Sequence, residues 1–217
     1  MYKNITIAID GTAASGKGTL ARKLSKEFNY AYLDTGKLYR AAALIISSRN
    51  IDYTNIKDIK NAIKSYNFSK FDFLDDRLKS DEIGKLASMV SGYQELRKIL
   101  LEYQKSFAFK KHEGKKGVIL DGRDIGTVVL PQANIKFFVT ASTRVRAERR
   151  WKELISLGQR TIKRHVEKDI RDRDNRDIQR IHSPLTVAPD AILLNTTNLN
   201  VNESFLLAKK YVEEYLN

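Results

Sequence analysis

Lys17 closes a run of small residues, Gly11, Thr12, Ala13, Ala14, Ser15 and Gly16, and is followed by Gly18 and Thr19. Small side chains let successive backbone N–H groups turn inward as a nest for an anion. A lysine at the rim of such a nest reaches β- and γ-phosphates. The spacing Gly11-x4-Gly16-Lys17 follows an apolar run at residues 4–9 and precedes a helical pattern at 16–28. Strand, loop and helix in that order are the setting in which this spacing marks a phosphate-binding loop, and the helix adds the positive end of its dipole. Gly18 stands where a serine or threonine commonly contacts magnesium, and the hydroxyl comes one residue later, at Thr19. No GxGxxG is present, so a dinucleotide site has no support.

Three further stretches carry groups suited to a second anion. In LDTGKLYR, residues 33–40, Thr35 and Arg40 would face it with Tyr39 alongside; the alternative is that Asp34 or Thr35 caps a helix and Arg40 lies on the surface. In LDGRDIGT, residues 120–127, Arg123 offers a bidentate fork that lysine does not match. Asp124 would fix Arg123 or accept a base N–H, unless the stretch is a turn stitched by its aspartates. In DIRDRDNRDIQR, residues 169–180, Arg173, Asp177 and Arg180 share one helical face, at i, i+4 and i+7. That segment has little apolar content, with Ile170 and Ile178 as the main exceptions. It reads as a flap ordered over an anion, which phosphoryl transfer needs because water competes as acceptor; the alternative is a solvated helix. Arg176 lies on the same flap, facing outward or toward the donor. His112, His165 and His182 have no metal-ligand spacing, and no metal site is expected from protein side chains alone.

These groups need a scaffold. Apolar runs at 4–9, 30–33, 117–120, 135–140 and 191–195 alternate with helical patterns at 16–28, 94–109, 143–157 and after Asn200, where Glu203 completes a capping box. The alternation predicts an α/β fold with a parallel sheet. Residues 50–92, with two short helical patterns, and the charged segment 158–182 read as pieces peripheral to it. The 217 residues, 42% apolar, suffice for a full core. There is no cysteine, which removes disulfides and thiolate chemistry and suits a reducing cytosol. No signal peptide is expected, and no apolar run approaches the roughly 20 residues of a membrane span. The net charge of +13 suits a polyanionic partner or a lysine-rich surface equally.

GTAASGKGT, LDTGKLYR, DGRDIGTVVLP, RDRDNRD and SPL occur in the order found in bacterial-type cytidylate kinases, and the sequence resembles that family over nearly its whole length. The resemblance implies ATP + (d)CMP ⇌ ADP + (d)CDP. It implies a three-layer α/β/α P-loop kinase, one domain over 1–217, with a five-stranded parallel sheet. A monophosphate-binding subdomain would lie at 50–92 and a lid at 158–182. ATP with Mg2+ would occupy residues 11–19. The acceptor phosphate would meet Thr35, Arg40, Arg123 and Arg180; base and ribose would meet Ser88, Arg97, Asp124, Arg173 and Asp177. The sequence departs from the family pattern at Thr12 and Ala13, where Pro-Ser is usual, at Thr35, where serine is common, and in a shorter stretch between Arg40 and Ser88. Because the acceptor oxygen is already anionic, catalysis reduces to positioning and charge neutralisation. Lys17, Arg123, Arg173 and Arg180 are the groups expected to do it. A cytoplasmic monomer without membrane or nucleic-acid partners is expected. The rivals are a kinase for AMP, UMP or another small acceptor, and a basic nucleic-acid-binding module, for which no recognition motif is visible.

Overall fold

The computed structural model describes residues 5–217 and divides into two compact units, one comprising Met1–Leu33, Lys111–Gln179 and Ser183–Asn217, the other Asp34–Lys110 with Arg180–His182. The first is built on a five-stranded sheet. Its strands are β1 (Ile5–Gly11), β2 (Ala31–Asp34), β3 (Gly117–Gly122), β4 (Ile135–Thr140) and β5 (Ile192–Asn195), in the order β2-β3-β1-β4-β5. β1 runs parallel to β3 and β4, and β4 parallel to β5. This is the α/β class with the parallel sheet that the alternation predicts. Each expected strand is present, β4 with the expected ends and the others with ends moved by at most two residues; Asn4, the expected first residue, lies outside the described residues.

Period-two alternation explains the packing. Ile5, Ile7 and Ile9 of β1, with Ile119, Phe137, Val139 and Leu194, form one buried layer with Leu20 and Leu24 of α1 (Lys17–Phe28). Ala208 and Val212 of the C-terminal helix, Val201–Leu216, complete it. Ala8, Val118, Leu120 and Phe138 point the opposite way and are also buried, so both faces of the sheet are covered. The C-terminal helix starts at the predicted capping box, with Asn200 and Glu203 satisfying each other's backbone N–H groups.

The second unit is helical. Its first helix, α2 (Thr35–Ser48), carries the run AAALII, of which every residue is buried. α3 (Ile56–Lys64), α4 (Asp81–Val90) and α5 (Gln94–Phe109) pack around it through Ile59, Ile63, Ile83, Ala87, Leu96 and Leu100. The 50–92 stretch thus falls inside a larger unit whose core also draws on α2 and α5.

Back in the first unit, α6 (Thr143–Ser156) packs against α7 (Lys163–Gln179). Val166 and Ile170, at i and i+4, are buried with Ala147 and Leu154 of α6. The anchor of the charged segment is therefore Ile170 with Val166; Ile178, expected to share that role, is exposed because its face of the helix meets solvent. Trp151 on α6 donates its indole N–H to Thr161 O (3.1 Å), tying α6 to the strip leading into α7. The remaining helix, Val201–Leu216, is α8.

Candidate active site

β1 leaves the sheet at Gly11. A Cβ there would sit 2.0 Å from the Val139 carbonyl oxygen of β4, so only glycine permits the exit. Ala14 (φ +56°) and Gly16 (φ +91°) are both left-handed and curl the loop inward. The loop is held from outside: Ala13 N–H donates to Asp174 Oδ1 (3.0 Å), Ala13 C=O accepts from Arg146 Nη1 (3.0 Å), and Ser15 C=O accepts from Thr196 Oγ1 (3.2 Å). Lys17 Nζ donates to Thr12 O (3.2 Å). The hydroxyls of Thr12 and Ser15 are buried with no hydrogen-bond partner among the described residues. Buried donors of this kind call for an acceptor, and phosphate oxygens supply one. Burial, and then the nearby charge of Arg123, pushes the Lys17 ammonium down to about 7. Such a cation gains most from an incoming anion.

The exit of β3 lies beside this loop because Asp10 of β1 is in register with Gly122 of β3. Asp121 is buried; its Oδ1 accepts from Tyr32 Oη (3.0 Å), and its Oδ2 lies 3.4 Å from the position a Cβ on Gly18 would take. Asp10 is buried as well and accepts from the backbone N–H groups of Ile125 (2.8 Å) and Gly126 (2.7 Å), at the start of a π-type turn, Ile125–Val129. Burial dominates and raises its carboxyl to about 6 despite those two bonds. Arg123 donates through Nε to Asp177 Oδ2 (2.8 Å) and through Nη1 to Gly122 O (3.2 Å). Burial works against the Arg123 charge, yet the ion pair with Asp177, helped by Asp174 and Asp121, holds its pKa above that of a free guanidinium. Asp124 is buried, and its carbonyl accepts from Val128 and Val129 N–H. On α7, Asp174 and Asp177 are buried, Arg173 is half-buried near Lys17, and Arg176 is exposed. No group of three or more His, Asp or Glu suited to a metal occurs among the described residues.

The second unit gathers its own candidates. Asp34 caps α2 by accepting from Lys37 N–H (3.0 Å), as the helix-cap alternative has it, and Thr35 is the buried first residue of that helix. Arg40 donates through Nη1 to the carbonyls of Leu78 (2.7 Å) and Ser80 (3.0 Å) and lies against Gly84, where a Cβ would sit 2.7 Å from Nη2. Arg40 is therefore half-buried and held by backbone rather than loose on the surface. Arg97 is buried, donates to Ser91 O (3.0 Å) and stacks over the Tyr39 ring at 5.4 Å. Ser88 is buried on α4, and its carbonyl accepts from Ser91 Oγ (2.9 Å). Arg180 belongs to this unit too.

The candidates thus form two sets. Residues 11–19, Arg123, Asp124, Arg173 and Asp177 belong to the first unit; Thr35, Tyr39, Arg40, Ser88, Arg97 and Arg180 belong to the second. Sequence reasoning passed over Asp10, Asp121, Arg146 and Asp174. The signal for the first two was available, since each is an acidic residue at the carboxyl end of an apolar strand.

The family profile described as cytidylate kinase matches residues 7–214. The cytidylate kinase of Rhodospirillum rubrum is 45% identical, over 93% of this chain and 94% of that protein. The cytidylate kinase of Rhodopseudomonas palustris is 43% identical, over 95% of each chain. Among solved structures, an uncharacterized protein from Eubacterium ventriosum superimposes with a TM-score of 0.52 at 14% identity, covering 97% of this chain and 99% of that one, a likeness of fold alone.

Proposed function

The chain belongs to the cytidylate kinase family, and from that premise we propose that it transfers the γ-phosphate of ATP to CMP or dCMP, yielding ADP and the nucleoside diphosphate. The observation that carries this reading is the juxtaposition, one strand apart, of an anion nest ending in Lys17 and an arginine held by Asp177. Two polyanions must be brought into line, and each needs its own cationic grip.

On this reading the loop N–H groups, the Thr12 and Ser15 hydroxyls and Lys17 receive the donor phosphates. Arg123 grips the acceptor phosphate, and Thr35, Tyr39, Arg40 and Arg180 are assigned to the acceptor by the family resemblance. Ser88, Arg97, Asp124, Arg173 and Asp177 read the nucleoside. Burial of Ser88, Arg97, Asp124 and Asp177 supports that role, because a desolvated polar group discriminates more strongly than a solvated one. The lid would be the 158–182 stretch, and the monophosphate subdomain the unit containing 50–92. Neutral pH already leaves the acceptor oxygen ionised, so no side chain has to remove a proton. Arg173, close enough to depress Lys17, stabilises charge on the transferring group.

The residues near Gly18 fit magnesium. The Asp121 carboxylate and the Thr19 hydroxyl are hard oxygen donors, and one carboxylate with substrate phosphates and waters is the set this ion favours. Bound with ATP, the ion supplies neutralisation of the β- and γ-oxygens.

A coupled assay of ADP release over CMP, dCMP, UMP and AMP tests the reading: fastest turnover is expected with CMP or dCMP, and best turnover with AMP overturns it. Arg123→Ala should lower kcat/KM by about 10²–10³, the loss typical of one pre-positioned donor. A fully active variant removes the acceptor assignment.

A further inference from the structure

Helix α7 carries two buried aspartates three residues apart, and each is bonded to a different element. Asp177 holds Arg123 at the exit of β3. Asp174 forms a buried ion pair with Arg146 of α6, and its other oxygen accepts from Ala13 N–H inside the donor loop. Arg146 closes the ring by donating to the carbonyl of the same Ala13. One ion pair therefore holds both backbone polar groups of a single loop residue. Arg146 is itself fixed to the start of α6, through Nε to Ala141 O (2.8 Å) and Nη2 to Thr143 Oγ1 (3.0 Å).

A helix is stiff over one turn, with a rise of about 1.5 Å per residue. A shift of the loop at Ala13 therefore reaches Arg173 and Asp177 through Asp174, without an intervening flexible segment. We propose that Asp174, with Arg146, is a positioning pair that couples the donor loop to the acceptor-side groups on α7, so that filling one site tightens the other. The proposal rests on the reading that residues 11–19 take ATP and that Arg123 and Asp177 serve the acceptor. Coupling between two ligands is reciprocal and is measured as a ratio of dissociation constants. A pair that served stability alone would lower the melting temperature and leave that ratio unchanged.

The test is calorimetric titration of CMP into the full chain, with and without a non-hydrolysable ATP analogue and Mg2+. Wild type, Asp174→Asn, Asp174→Ala and Arg146→Gln are compared. In the wild type the analogue should tighten CMP binding by roughly 5-fold or more, the lower end of typical coupling. Asp174→Ala should bring the ratio close to one. Asp174→Asn, which keeps an acceptor for Ala13 N–H, should fall between, and this isosteric variant decides the matter if the alanine variant does not fold. A ratio near one in the wild type, or a wild-type ratio retained in the folded Asp174 and Arg146 variants, overturns the proposal. Failure of the wild type to phosphorylate any nucleotide overturns the underlying reading, and the proposal with it.

Discussion

Neighbouring carboxylates receive opposite treatment in this protein. Asp177 lies against Arg123, whereas Asp10 is buried with only two backbone N–H donors, and desolvation lifts it from the ordinary 3.8 to about 6. A folded-state value above the unfolded one means that the native chain holds this proton more tightly. Stability from the group is thus fully present below the unfolded pKa and is lost as pH rises through the folded one. The shift corresponds to about 3 kcal/mol, to order of magnitude. Urea unfolding at several pH values checks it: the wild type minus Asp10→Asn difference should move against the wild type as pH rises from about 4 to about 7. A difference that does not vary with pH would contradict the assignment. Lys17, Arg123, Arg173 and Asp177 stood out as candidates in the sequence because their spacing relative to strand ends and helix faces is itself the signal. Asp174 was not. RDRDNRD offers several acidic residues, and only the packing of α7 on α6 decides which of them turns inward.

Elements were legible where one face is buried and the other wet. The C-terminal helix and its cap are the clearest case, because capping chemistry is local. Helix α2 entered only as the capping alternative at Asp34 or Thr35, since its AAALII run is buried on every side and offers no 3.6-residue contrast to read. The charged segment posed the reverse difficulty: α7 offers so little apolar surface that Val166 went unnoticed as half of its anchor. Because the anchor is small, it should be fragile. Ile170→Ala should destabilise the protein by about 2–5 kcal/mol if the loss is global. A smaller global change with faster proteolytic cutting within 158–180 would locate the loss in α7 itself. CMP with the ATP analogue should slow that cutting in wild type, and an unchanged pattern would count against closure of this segment.

For the molecule as a whole, charge and partition into units matter most. The net charge of +13 left anionic partners and a merely basic surface equally open, and family membership makes the chain a kinase, whose substrates are anionic. Both substrates on this reading are polyanions, so the field should speed their encounter and be screened by salt. kcat/KM for CMP and for ATP should both fall as KCl is raised from about 20 to about 300 mM, with kcat much less affected. Salt-independent kcat/KM would mean that the charge serves solubility alone. The extent of the second unit was not legible in composition. Its core is completed by α2 and α5, which flank the polar stretch, and the unit also takes in the three residues Arg180–His182, which follow α7 in the chain.

One detail of α6 makes motion in this region visible. Trp151 is the chain's single tryptophan, and its indole bonds to the carbonyl of Thr161, two residues before α7 begins. The dominant fluorophore is thus wired to the approach to that helix. Emission from an unlabelled sample reports whether this strip is docked or released, and Trp151→Phe serves as its dark control.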